Sequence, residues 1–268
     1  MQDAADKRLK IEKNLRLAIS NNELSLHYQP QLSADNKIIG AEALIRWQNP
    51  ELGFISPLEF IPIAEETGLI IPIGQWIIES VCQQIKVWDE QKLYIPHIAI
   101  NISAKQFHQT DFVSMIVHNV FDQKVRSNRV MLEITESVFL GSLDEAIDKM
   151  HALKRSGFSF SIDDFGTGYS SLTYLKRLPF DQLKIDQSFV KGLVDNKSDA
   201  AIVKAIIAMA KSMDLKLIAE GVETDQHLAY LSELGCDEFQ GYYFSKPLPV
   251  EQISEYLLAY KDSLSIPS

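Results

Sequence analysis

LSLHYQPQLSADNKIIGAEALIRW, residues 24–47, contains two β-rich runs, Leu24–Gln29 and Ile38–Trp47, joined through the short link Leu32–Lys37. Parallel neighbours need a linking segment of about a dozen residues or more, whereas antiparallel neighbours close on a tight turn. The link is too short for a crossover helix, so one strand of the fold must run against its neighbours. Working outward, β-rich runs recur at His97–Asn101, Val130–Thr135, Phe158–Asp163, Gln182–Asp186, Lys216–Glu220 and Asp237–Gln240. Helical stretches lie between most of them, at Ile73–Lys92, Asp111–Phe121, Asp144–Arg155, Ala200–Met213 and Asp225–Leu234. Strand–helix alternation predicts a mostly parallel sheet. This number of strands predicts closure into a TIM-like (β/α)8 barrel with one antiparallel strand.

The ends carry less information. Ile11, Leu15, Ala18 and Ile19 fall at helical spacing among charged residues, which predicts a lead-in helix over residues 1–20. It is either an ordinary first helix or a connector from an upstream domain. Residues 21–262 form the barrel domain, and Asp262–Ser268 reads as a polar, frayed tail. No linker or internal repeat divides the chain.

A net charge of −10 argues against binding nucleic acid polymers, which need a basic surface. It leaves open a small phosphorylated ligand met by metal ions. Cys82 and Cys236 belong to no CxxC or Cys/His cluster, so they read as buried, reduced thiols in the cytoplasm rather than zinc ligands. The longest apolar stretch, Leu69–Ile78, is broken by Pro72, Gly74 and Gln75 and cannot span a bilayer. The domain itself is therefore expected to make no membrane contact, and any anchor would belong to regions N-terminal to it. The six histidines show no HExxH spacing, and no P-loop glycine pattern is present.

The polar residues inside or just after the strands are more telling: Glu42, Asn101, Glu133, Asp163, Asp164, Lys184, Glu220 and Gln240. A single Glu in a strand usually faces solvent. Here nearly every strand supplies a polar group, and several of them sit in apolar runs such as IAIN, MLEIT and KLIAE. An acid in such a run is costly unless it is paired or bound to metal. In a barrel the C-terminal strand ends converge on one mouth, so these residues would meet there. Five carboxylates in one pocket must hold protons or cations. Oxygen donors with an Asn carbonyl suit Mg2+ or Mn2+. Asp163 and Asp164 are neighbours, so both reach the mouth only if their strand ends there. One carboxylate bridging two ions, with the next holding only the second, would suit two-metal phosphoester hydrolysis. Lys184 either balances this charge or acts on the attacking water and the transition state. Arg46 shares a strand face with Glu42 and is suited to a phosphate oxygen.

These residues resemble the EAL domain family. Glu42-Ala43-Leu44 followed by Ile45-Arg46-Trp47 looks like its signature, and the resemblance runs from about Leu24 to Tyr260. Tyr28-Gln29-Pro30, Phe60–Glu65, Asn101-Ile102-Ser103, Glu133–Glu136, Asp163–Ser170, Lys184-Ile185-Asp186, Ala219–Glu223 and Gln240-Gly241-Tyr242 match its further motifs in order. The resemblance implies a phosphodiesterase that opens cyclic di-GMP to linear 5′-pGpG with two ions, Mg2+ or Mn2+. It implies that Glu42, Asn101, Glu133 and Asp163 hold one metal, and that Asp163, Asp164 and Glu220 hold the other. By the same resemblance, Lys184 contacts the attacking water and Glu220 assists proton removal. Gln29, Leu44, Arg46, Asp186 and Gln240 meet the ligand, and Glu136 anchors the loop that begins at Asp163 and helps form a homodimer. Such domains often follow a diguanylate cyclase or sensory domain, which would make the lead-in helix a connector.

Two rivals stand beside this expectation. One is a catalytically silent cyclic di-GMP receptor, separated by a turnover assay with Mg2+. The other is a Mg2+-dependent barrel enzyme of the enolase or aldolase type, which only the motifs disfavour.

Overall fold

The structure, a computed structural model, describes residues 2–140, 142–166 and 175–264. The decisive turn is as expected. β1 (Leu24–Ser33) and β2 (Ile38–Asn49) pair antiparallel with Gln29 opposite Glu42. Ser33 closes the turn through its N–H to Lys37 O at 2.9 Å and its hydroxyl, which accepts from Lys37 N at 3.1 Å, while Asn36 adopts a left-handed φ of 57°. Asn is among the few residues that tolerate this conformation.

From β2 the sheet proceeds through β4 (Ile98–Ile102), β5 (Val130–Thr135), β6 (Ser159–Phe165), β7 (Gln182–Ile185), β8 (Lys216–Ala219) and β9 (Glu238–Phe239), each parallel to the last. β1 then pairs antiparallel with β9 as well, so eight strands close a barrel in which β1 alone runs backward. Two short strands add outside the ring: β3 (Gly53–Ile55) on β2 and β10 (Leu248–Pro249) on β1.

Among the described residues the α-helices are α1 (Gln2–Leu15), α2 (Pro57–Thr67), α3 (Ile70–Glu90), α4 (Ala104–Phe107), α5 (Phe112–Asp122), α6 (Leu143–Arg155), α7 (Gln187–Gly192), α8 (Lys197–Ser212), α9 (Asp225–Glu233) and α10 (Val250–Leu264). Four of them, α2, α4, α7 and α10, were not expected, and α1 is shorter than expected. The lead-in helix stops at Leu15, and the chain turns through residues 16–22 with Ala18 still buried. α2 was not expected because Pro62 interrupts its pattern. It forms on a Ser56 cap that accepts from Leu58 N at 3.3 Å, with Pro57 in the first turn and Gly68 at φ 81° ending it. α10 carries the chain helically through residue 264, where a tail was expected from Asp262.

The apolar core lies between barrel and helices. Outward residues of the strands, such as Ile100, Leu132, Ile134 and Ile185, are buried under Phe60, Ile78, Phe107 and Val203. α1 docks on this shell through buried Ile11 and Leu15 and through ion pairs of Lys7 with Glu59 and Arg8 with Glu66 on α2. The inner face of the barrel is polar and buried, with Gln31, Glu42, Glu133, Gln182, Lys184 and Gln240. Such a lining must be cross-bonded to be tolerated. No helix of the described residues is long and apolar enough to cross a membrane.

Trp88 ties three elements together. It is fully buried on α3, meets Tyr28 of β1 edge-on at 5.0 Å, and donates its indole N–H to Ser254 Oγ on α10 at 2.8 Å. Trp88→Ala is expected to cost about 3–5 kcal/mol, the range for deleting a buried Trp. The check is a lowered urea midpoint with an unchanged slope. A loss under about 1 kcal/mol would mean that the site collapses around the cavity at little cost.

Candidate active site

The parallel strands end at one mouth. Strand alternation sets Glu42 on β2, Asn101 on β4, Glu133 on β5 and Lys184 on β7 facing inward, with Asn101 level with Glu133 in the β4–β5 register. Glu220 follows β8 directly, and Gln240 follows β9. Residues drawn from two hundred positions of sequence thus meet at the floor of one cavity of about 560 Å3. Its lining includes Gln29, Glu42, Leu44, Arg46, Asn101, Asp163, Lys184, Glu220 and Gln240.

Lys184 is the centre of the cluster. Its ammonium, 1% exposed, lies 2.7 Å from Glu133, 2.7 Å from Glu220, 3.2 Å from Asp163 and 3.7 Å from Glu42. Burial alone would favour the neutral amine, but the surrounding carboxylates hold the Lys184 pKa well above its ordinary value. It is therefore a fixed positive charge.

The acids around it are not equivalent. Burial would raise the Glu42 carboxyl, yet Lys184 and two amides hold it below the ordinary carboxylate range. Asn101 donates to its Oε1 at 2.7 Å and Gln240 to its Oε2 at 2.6 Å. Gln240 in turn donates to Gln29 at 3.1 Å and accepts from Gln31 at 2.9 Å, so Glu42 rests on a chain of amides. Glu133 has one oxygen on Lys184, while its buried Oε1 has no partner among the described residues. Burial, reinforced by its acidic neighbours, pushes Glu133 well above the ordinary range. Burial, partly offset by Lys184, brings Glu220 to about 8. Asp164 rises to about 6 through burial and the charges of Asp163 and Asp186.

The pair Asp163–Asp164 reaches the mouth by a different route from the one expected. β6 does not end at Asp163. It continues to Phe165, and its register with β7 shifts between Ile162 and Phe165 where Asp164 takes a left-handed φ of 52°. This bulge turns two successive side chains toward one side, which simple alternation forbids. As a result Asp163, Asp164 and Glu220 can offer ligand oxygens within 4.8 Å of one another.

The donor set fits divalent cations. It is all oxygen, it includes an orphaned buried carboxylate oxygen on Glu133, and it places more acidic charge than Lys184 can neutralise. Asn101 spends its amide N–H on Glu42, which leaves its Oδ1 free to face a cation.

One expected ligand residue is differently placed, and the expected loop anchor lies beside its loop. Asp186 does not line the cavity. It caps α7, accepting from Ser188 N at 3.0 Å and from the Ser188 hydroxyl, and it faces Asp164. Glu136 Oε1 accepts from Gly166 N at 3.5 Å, at the start of the loop it was expected to anchor. Thr167–Ser170 of that loop, the segment expected at a dimer contact, lies outside the described residues.

The sequence reading missed much of the rim. Phe54 on β3, Leu58 on α2 and Tyr242 after β9 line the opening, with Leu58 88% exposed and Tyr242 under the Lys246 ammonium at 5.3 Å. Gln187, Lys191 and Glu223 form the opposite wall. Exposed large apolar residues at a site are a signal only once α2 and β3 are known to frame it.

An eight-stranded barrel whose mouth gathers carboxylates around one buried lysine defines an α/β barrel with an acidic cluster that could hold a cation. Within that class, this chain belongs to the EAL domain family, whose model matches residues 12–247. It is 41% identical over 254 residues to the bifunctional diguanylate cyclase/cyclic di-GMP phosphodiesterase MucR of Pseudomonas aeruginosa, covering 94% of this chain and 37% of that protein. It is 40% identical to the cyclic di-GMP phosphodiesterase NbdA of the same organism, covering 96% of this chain and 33% of that protein. The chain thus spans about a third of the length of these relatives. Among solved structures, a PaMucR phosphodiesterase–c-di-GMP complex superposes with a TM-score of 0.87 at 41% identity, over 91% of this chain and 99% of that one.

The raised carboxyls make a directional prediction. Each binds a proton in the folded, cation-free protein that the unfolded chain would release, so that form loses stability as pH rises toward about 8, the Glu220 value. A cation must displace these protons, and rising pH removes its competitor. The gain in melting temperature on adding Mg2+ is therefore expected to be larger at pH 8 than at pH 6. Equal gains at both pH values would show that the cluster does not take up the ion.

Proposed function

We propose that this chain is a metal-dependent phosphodiesterase that hydrolyses one phosphodiester bond of cyclic di-GMP to give linear 5′-pGpG. The observation that carries it is the Lys184 ammonium held among four carboxylates at the floor of a cavity, in a chain of the EAL domain family. The names of its relatives supply the substrate class. In this reading Glu42, Asn101, Glu133 and Asp163 hold one cation, and Asp163, Asp164 and Glu220 hold a second. Bound Mg2+ or Mn2+ ions supply Lewis-acid polarisation of the phosphate and acidification of water.

The chain's own residues do the rest. Arg46, on the same strand face as Glu42, grips a phosphate oxygen; its guanidinium has no carboxylate partner among the described residues and lines the cavity. Leu44, Phe54 and Tyr242 give apolar surface to the bases, and Gln29 and Gln240 complete the wall. Lys184, positive throughout the working pH range, orients the attacking water and stabilises charge that grows on the phosphate. Glu220 assists removal of the water's proton. Asp186 acts behind Asp164 rather than on the ligand. A homodimer formed through the segment after Asp163 completes the reading.

Incubation with cyclic di-GMP and Mg2+, resolved by chromatography, is expected to yield pGpG, with much slower conversion to GMP and little turnover in Ca2+. Binding without product would establish a silent receptor instead. Lys184→Ala is expected to cut turnover by about 10²–10³ while cyclic di-GMP binding largely persists. Arg46→Ala is expected to weaken binding more than the chemical step. Calorimetry and single-turnover rates separate the two. Near-normal turnover in Lys184→Ala would reduce that lysine to charge balance.

A further inference from the structure

The cavity that meets a doubly charged ligand is itself strongly acidic, with Glu42, Asp163, Glu220 and Glu223 in its lining. Among the described residues three cationic side chains line it: Arg46, Lys184 and Lys191. Lys184 is committed, since four carboxylates lie within 3.7 Å of its ammonium. Arg46 rises from β2 on one side. Lys191 stands on α7, directly after β7, on the wall built with Gln187, Gly221 and Glu223.

That wall is tightly set. Gly221 has a φ of 66°, and a side chain there would meet Gln187 Cβ at 2.6 Å, so the turn after Glu220 packs against the first residue of α7. Lys191 is thereby placed at a fixed side of the opening rather than on a wandering loop. Its side chain remains 54% exposed, and its nearest acid, Glu223 Oε1, lies 3.9 Å away, beyond hydrogen-bond reach. An ammonium so weakly held keeps its three donors for another acceptor.

We propose that Lys191 binds the phosphate of the cyclic dinucleotide that is not being cleaved, across the cavity from Arg46, and so helps the site prefer substrates with two phosphates. This rests on the phosphodiester substrate proposed above. A cyclic dinucleotide carries two phosphodiester anions in one ring. Seated with one on the cation cluster, it must place the other over acidic surroundings, where an unpartnered phosphate would be repelled. Lys191 offsets that repulsion. The contribution is to capture and placement, because an exposed charge at a rim acts mainly on association and on salt dependence.

The test compares Lys191→Ala, Lys191→Arg and Lys197→Ala, the last removing the same charge from α8 outside the lining. With cyclic di-GMP, Lys191→Ala is expected to raise KM by about fivefold with kcat little changed, and to flatten the fall of kcat/KM with salt. Lys191→Arg should restore most of the loss. With bis(p-nitrophenyl) phosphate, which carries a single phosphate, the loss should be several times smaller. Equal losses on both substrates, or an equal loss in Lys197→Ala, would overturn the assignment. So would wild-type behaviour of Lys191→Ala. If the wild-type chain binds cyclic di-GMP without turning it over, the proposed catalysis fails. The Lys191 assignment is then decided by calorimetry, where Lys191→Ala must weaken binding about fivefold or be rejected. If the wild-type chain neither binds nor cleaves it, both fall.

Discussion

A lysine ammonium sealed beneath the mouth of the barrel, with carboxylates from four strands turned toward it, is the constraint on which the site depends. None of these groups would be tolerated there alone. A buried ammonium costs several kcal/mol of lost hydration unless paired, and each carboxylate costs a similar amount. Together they leave an excess of negative charge that Lys184 cannot cancel. Burial first, and then the charge of neighbouring acids, raises the carboxyls of Glu133, Glu220 and Asp164.

The amide chain beneath it decides which acids remain ionised. Asn101 and Gln240 donate to Glu42, and Gln31 and Gln29 hold the Gln240 amide in place by donating to it and accepting from it, whereas no amide reaches Glu133 Oε1. Two glutamates on the inner face of the same barrel, both near Lys184, therefore have opposite shifts. The difference comes from Asn101 on β4 and from Gln240 after β9, polar residues that would look like ordinary surface positions if read singly.

The barrel and the polar residues that converge at its mouth were legible in the sequence because both rest on local features: the short Leu32–Lys37 link, and acids embedded in apolar runs. What was not legible depends on three-dimensional context. α2 was hidden by Pro62, and with it the rim residues Leu58 and, on β3, Phe54. The bulge at Asp164 left no trace in a pattern of alternation, since an aspartate at φ 52° resembles any other aspartate. Lys191 sits on a helix of six residues, too short to declare a periodicity. Asp186 was expected to meet the ligand because of its place in a motif, yet a residue that begins a helix is drawn to its own backbone.

The reversed direction of β1 also fixes where the chain enters the barrel. In the β1–β2 register Leu24 lies opposite Trp47, several positions beyond Gln29 and Glu42 on the way out of the mouth. An all-parallel barrel would receive its first strand at the floor, a full strand length from the chemistry. Here the polypeptide arrives on the face that carries the carboxylate cluster, one short turn after α1, and α1 is paired with α2, whose first turn carries Pro57 and Leu58 on the cavity rim. A tilt or twist imposed on α1 would therefore act as a short lever on the doorway itself, with no need to deform the barrel in between.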